Sequence, residues 1–75
     1  MQKHEREAFA AAQEAATRFG CTVQAEFGRR GSKMFLVIVG PRGTRSRAVS
    51  SSPSSPTVEA SYARQWVNRT AGEVA

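Results

Sequence analysis

The clearest alternation in the chain is "CTVQAEF", residues 21–27, in which Cys21, Val23, Ala25 and Phe27 take one side and Thr22, Gln24 and Glu26 the other. A period of two with one apolar side predicts a strand with one buried face. Ahead of it, "KHEREAFAAAQEAATRF" sets Phe9, Ala12, Ala16 and Phe19 three and four positions apart. That spacing predicts a helix over 3–19 with those four residues on its inner face. Its alanines favour the helix intrinsically, and Gly20 can take the left-handed conformation that stops it. Further on, Val58, Tyr62, Ala63, Trp66, Val67 and Thr70 recur at helical spacing and predict a second helix. The Ser/Pro stretch 50–56 leads into it, with Ser55 before Pro56, or Ser52 before Pro53, as cap and first helical residue. Gly72 is expected to end that helix and leave 71–75 as a fraying tail.

Between the helices the pattern changes. Met34 to Val39 is apolar at every position, so the second strand, Lys33–Val39, carries no alternation of its own. "GPRG", with Pro41 at the second turn position, then leads into a weaker third strand over 44–50. A loop over 40–43 sets Val39 opposite Thr44, Val37 opposite Ser46 and Phe35 opposite Ala48. A five-residue loop over 28–32 sets Phe27 opposite Lys33, Ala25 opposite Phe35 and Val23 opposite Val37. The expected core face is then Cys21, Val23, Ala25, Phe35, Val37 and Val39, with Ser46 and Ala48. The expected fold class is α+β, in the order α-β-β-β-α: a three-stranded antiparallel meander with both helices packed on one face. One domain spans 1–75, with its core at about 5–70.

That register leaves Met34, Leu36 and Ile38 on the other face, bordered by Arg45, Arg47, Gln24 and Glu26. Either the long polar side chains lie over the strip, or a partner covers it. The expectation is a covered face, with a second copy of the chain the simplest cover.

Charge adds a second theme. Eleven Lys and Arg against six Asp and Glu give a net charge of +5, which favours anionic partners, nucleic acid first. Six of the eleven, Arg29, Arg30, Lys33, Arg42, Arg45 and Arg47, fall within residues 28–47, where no acid follows Glu26, and are expected to form one basic rim along the hairpins. "GRRGS" and "GPRG" can be plain turns, or can grip phosphate with backbone N–H groups and guanidiniums. Neither matches a P-loop.

The catalytic inventory is thin. His4 is the one histidine, close to the N-terminus and expected on the surface, and Cys21 is the one cysteine. No disulfide, cysteine-based metal site or Ser-His-Asp set can be assembled from these, so no cofactor and no catalysis are expected. Tyr62 and Trp66 are expected to anchor the core. No apolar stretch is long enough to cross a bilayer, and no signal-peptide pattern opens the chain. The expectation is a cytoplasmic setting without a membrane partner.

The chain also resembles the double-stranded-RNA-binding-domain fold, and within it the small HicA-type toxins and related phage-encoded proteins. Phe19-Gly20-Cys21, Gly31-Ser32 ahead of the strand with Phe35, and the Ser/Pro entry to the second helix carry this likeness over about residues 5–70. The resemblance implies a phage or mobile-element origin and dealings with RNA. In HicA-type toxins the active histidine follows the Gly-Ser pair; here Lys33 stands there, and a lysine is a poor general base near neutral pH. RNA-binding domains of this fold carry lysines at the start of the second helix, where this chain has Glu59. Three functions follow as expectations. First comes a non-catalytic nucleic-acid-binding protein using the six basic residues. The alternative is a module or inhibitor that binds a host protein through Met34, Leu36 and Ile38, and least expected is a ribonuclease.

Overall fold

A computed structural model describes residues 2–28, 33–50 and 56–75. Helix α1 (Lys3–Thr17) is followed by strands β1 (Thr22–Phe27), β2 (Met34–Gly40) and β3 (Gly43–Ala48), then helix α2 (Pro56–Val74). The strands form one antiparallel sheet in the order β1-β2-β3. One apolar cluster joins α1, α2 and a single face of that sheet. The α+β class and the α-β-β-β-α order are as expected.

Local chemistry accounts for the ends of the elements. The Gln2 N–H donates to Glu5 Oε1 at 2.7 Å, satisfying a free donor at the start of α1. At its other end, Gly20 takes φ 72°, the Gly20 N–H reaches the Thr17 carbonyl and the Cys21 N–H reaches that of Ala16. This pair of bonds is a Schellman stop. Pro56 is the first residue of α2, as its fixed φ favours; the expected cap at Ser55 lies outside the described residues.

The β2–β3 register is the expected one, with Phe35 opposite Ala48, Val37 opposite Ser46 and Val39 opposite Thr44. The β1–β2 register differs by one residue. Phe27 pairs with Met34, Ala25 with Leu36 and Val23 with Ile38, and Gly28 N–H bonds to the Lys33 carbonyl at 2.7 Å. A one-residue slip turns a strand over. Met34, Leu36 and Ile38 therefore face the helices and are at most 1% exposed. Phe35, Val37 and Val39 lie on the open face instead, in rows between polar neighbours: Thr22–Val39–Thr44, Gln24–Val37–Ser46 and Glu26–Phe35–Ala48. Expected as an outer strip for a partner or a second copy, Met34, Leu36 and Ile38 are covered by the protein's own helices.

Two features explain this choice. It moves Thr44 and Ser46 of β3 to the solvent side, where Thr22, Gln24 and Glu26 of β1 stand in either register. It also turns Gly40 toward α2, where a Cβ atom would meet the Val74 carbonyl oxygen at 2.2 Å. The Arg42 N–H donates to that same carbonyl at 2.8 Å. The helix does not stop at Gly72 but runs to Val74, and Ala71 and Val74 are fully buried in the core, so 71–74 are not a tail.

The inner faces of the helices are also rotated from expectation. α1 buries His4, Ala8, Ala11, Ala12, Ala15 and Ala16, and Phe9 only partly. Phe19 lies beyond the helix end and is exposed, as is Tyr62 on α2. Small side chains take the inner positions because α1 and α2 lie against each other, and the large rings are displaced to the flanks.

Gly40→Ala is expected to lower the unfolding free energy by about 1–3 kcal/mol, the range for forcing atoms into a filled site. Gly72 is helical and meets nothing within 4 Å of a built Cβ. Gly72→Ala should therefore raise stability by about 0.5 kcal/mol. Urea unfolding of the two variants beside wild type checks both signs.

Candidate nucleic-acid interface

Antiparallel geometry sends successive hairpins to opposite ends of a strand. Lys33 opens β2 and Arg42 lies in the turn after it, with the seven residues of β2 between them, roughly 20 Å of strand. The six predicted basic residues thus do not form one rim. Lys33 is exposed at one end; Arg29 and Arg30 lie outside the described residues; Arg42, Arg45 and Arg47 follow β3 at the other side.

In the observed register Arg45 is opposite Ile38 and Arg47 opposite Leu36, so both leave the sheet on the helix side. They sit on an edge strand, where the side chains can run past α2 into solvent, stems against the protein and heads in water. Arg45 Nε lies 3.3 Å from Glu73 Oε1 and its Nη1 donates to the Thr44 carbonyl at 2.9 Å. The two side chains of this ion pair are 49% and 57% exposed, so solvent screens it and its contribution to stability is small. Its value is positional, because it marks which side of α2 meets β3.

The relative direction of β3 and α2 follows from two contacts. The Arg42 N–H bonds to Val74 at one end, and the Ser50 N–H bonds to Glu59 at the other. The two elements are therefore antiparallel. One step of two residues along the strand, from Arg45 to Arg47, advances about 7 Å. One turn back along the helix, from Glu73 to Arg69, advances about 6 Å in the same direction. Arg69 thus falls at the level of Arg47. Tyr62, seven residues before Arg69, lies on the same flank of the helix and is 47% exposed. Arg42, Arg45, Arg47 and Arg69 line one edge of the molecule, opposed there by Glu73.

Sequence reasoning missed Arg69 and Tyr62. Arg69 was not among the six basic residues expected to contact a partner, and Tyr62 was expected among the core anchors. Their common flank is set by how α2 rests on α1 and the sheet, which residue spacing alone does not specify. Trp66, the other expected anchor, is buried.

Arg42, Arg45, Arg47 and Arg69 against Glu73 carry part of the excess charge, and Arg29, Arg30 and Lys33 against Glu26 carry the rest. Lys3, Arg6 and Arg18 are matched in number by Glu5, Glu7 and Glu14, so the first helix and its end are neutral overall. A second locus, a shallow recess between the helices, is lined by Ala11, Glu14, Ala15, Arg18, Arg64 and Asn68; its acid offsets one of its two cations.

His4 and Glu59 have an unexpected role. Both are buried, at 8% and 7% exposure. His4 Nε2 donates to the Ser50 carbonyl at 3.0 Å, and Glu59 Oε1 accepts from the Ser50 N–H at 3.2 Å. The start of α1 and the first turn of α2 thereby clasp the main chain just past β3. His4 is not the surface residue expected, and Glu59 points inward where a phosphate-gripping side chain would have to point out.

Among the described residues no three His, Cys, Asp or Glu side chains gather as a metal site, and no helix is long and apolar enough to cross a membrane. Comparison with protein-family models, with curated proteins and with solved structures finds no match.

Glu59→Ala should cost about 1–3 kcal/mol by leaving the Ser50 N–H without its acceptor. Glu59→Gln, whose amide oxygen can still accept, should keep most of that stability. Thermal and urea unfolding at pH 7 separate the two variants.

Proposed function

We propose that this protein is a small, non-catalytic nucleic-acid-binding module whose β3–α2 edge holds phosphates. The observation that supports this is the alignment of Arg42, Arg45, Arg47 and Arg69 along one edge that carries a single acid, Glu73. Guanidiniums bind phosphate oxygens with paired, charge-assisted hydrogen bonds. Contacts of this kind position a nucleic acid without reading its sequence. Lys33, exposed just before β2, would add a second, separate anchor, while Arg29 and Arg30 lie outside the described residues. Such a partner fits a cytoplasmic protein, and a phage or mobile-element origin is consistent with it.

A competing account is that arginines on an exposed edge strand serve to prevent edge-to-edge association. The two accounts differ in what the charges do when removed. The protein-partner alternative has less support, since Met34, Leu36 and Ile38 are buried and the open face offers Phe35, Val37 and Val39 between polar neighbours, with Val37 only 8% exposed. A ribonuclease reading finds no free imidazole to act as base, because His4 is committed to Ser50.

Binding of labelled DNA and RNA should weaken steeply with salt, by close to one logarithmic unit per phosphate neutralised for each decade of salt. Arg47→Ala with Arg69→Ala should lower affinity and flatten that slope by about 2. Glu73→Gln, which removes the negative charge beside Arg45, should raise affinity at low salt. Unchanged binding in the double-alanine variant together with new aggregation would favour edge protection and reject the proposal.

A further inference from the structure

Tyr62 is a large aromatic side chain on the surface of a helix, and an isolated exposed ring needs no functional account. Its position supplies one. It stands on the flank of α2 that carries Arg69 and Glu73, two turns of helix before Arg69, about 10 Å along the axis. Its hydroxyl has no hydrogen-bond partner among the described residues, and the residue is 47% exposed, so part of the ring can be reached by a ligand. Arg47 and Arg69 lie between it and Arg42, and the whole track runs along α2 for about 18 Å.

A line of cations ending in an open aromatic face suits one form of nucleic acid. In a duplex the base faces are stacked on one another and only base edges and phosphates are offered to a protein. In a single strand the base faces are free, and each can stack on an aromatic ring while the backbone follows a basic track. Resting on the nucleic-acid reading above, we infer that the preferred ligand is single-stranded, with a base stacked on Tyr62 and the adjoining phosphates on Arg69, Arg47 and Arg42.

Stacking releases no counterions, so it separates from phosphate binding by its salt behaviour. The test is fluorescence anisotropy with a labelled oligothymidylate of about twelve nucleotides, its duplex with oligoadenylate, and the same strand made abasic. Wild type should bind the single strand more tightly than the duplex or the abasic strand. Tyr62→Ala should weaken single-strand binding roughly 5- to 150-fold without changing the salt slope. Tyr62→Phe, which keeps the ring, should recover most of that loss. Circular dichroism and unfolding controls are expected to match wild type, because the side chain is half exposed. If Tyr62→Ala binds the single strand as wild type does, or if the abasic strand binds equally well, the stacking inference falls while phosphate binding by the edge stands. If wild type binds none of the probes at low salt, the nucleic-acid reading itself falls.

Discussion

The end of α2 rests directly on the main chain of the sheet, and the position of everything on the β3 side depends on that contact. Gly40 has no side chain to hold the helix away, and the Val74 carbonyl takes a hydrogen bond from the turn at Arg42. A helix pinned at its C-terminus to one turn and, through Glu59, to the chain leaving β3 cannot slide along the strand. Its residues are thus held in fixed register with those of β3. Arg69 sits beside Arg47 for that reason, and Tyr62 continues the same line. A surface that draws on two elements distant in sequence is assembled by one glycine, one main-chain hydrogen bond and one bond from the main chain to a carboxylate.

The interior follows from the small size of the chain. With seventy-five residues the core has few large side chains to offer. The helices meet through alanines, Ala8, Ala12, Ala15 and Ala16 on α1 with Ala63 and Ala71 on α2, while Trp66, Val67 and Val74 fill against Met34, Leu36, Ile38 and Val49. Close helix contact leaves no place for large rings at the centre of the pair, which is why Phe19 and Tyr62 are on the outside. The buried polar residues are satisfied: His4 and Glu59 spend their hydrogen bonds on Ser50, and no buried side-chain N or O atom among the described residues lacks a partner. Such pairing makes the two ionisable side chains structural fasteners.

Local periodicity located the helices and β1, though it put the large rings Phe19 and Tyr62 on the inner helix faces, where the structure has alanines. The alternation of "CTVQAEF" specified β1 and its inner face, Gly20 marked the end of α1, and the short turn at Pro41-Arg42 set the β2–β3 pairing. It failed where periodicity was missing. Six consecutive apolar residues have no phase, so β2 could be turned either way by a difference of one residue in the connection after β1. The site was legible to the same extent. Arg42, Arg45 and Arg47 were identified as neighbours, but their union with Lys33 in one rim was not possible for an antiparallel strand, and Arg69 was not seen to join them.

What the amino-acid order determined by itself is local: which segments are helix or strand, where they stop, and that the chain carries an excess of arginine. These properties arise from backbone preference, capping and side-chain alternation, all of which act within a few residues. The tertiary structure alone decided which face of β2 is covered, which flank of α2 is open, and which cations become neighbours. Those outcomes depend on contacts between residues far apart in the chain, above all Gly40 with Val74 and Ser50 with His4 and Glu59, whose geometry no local pattern contains.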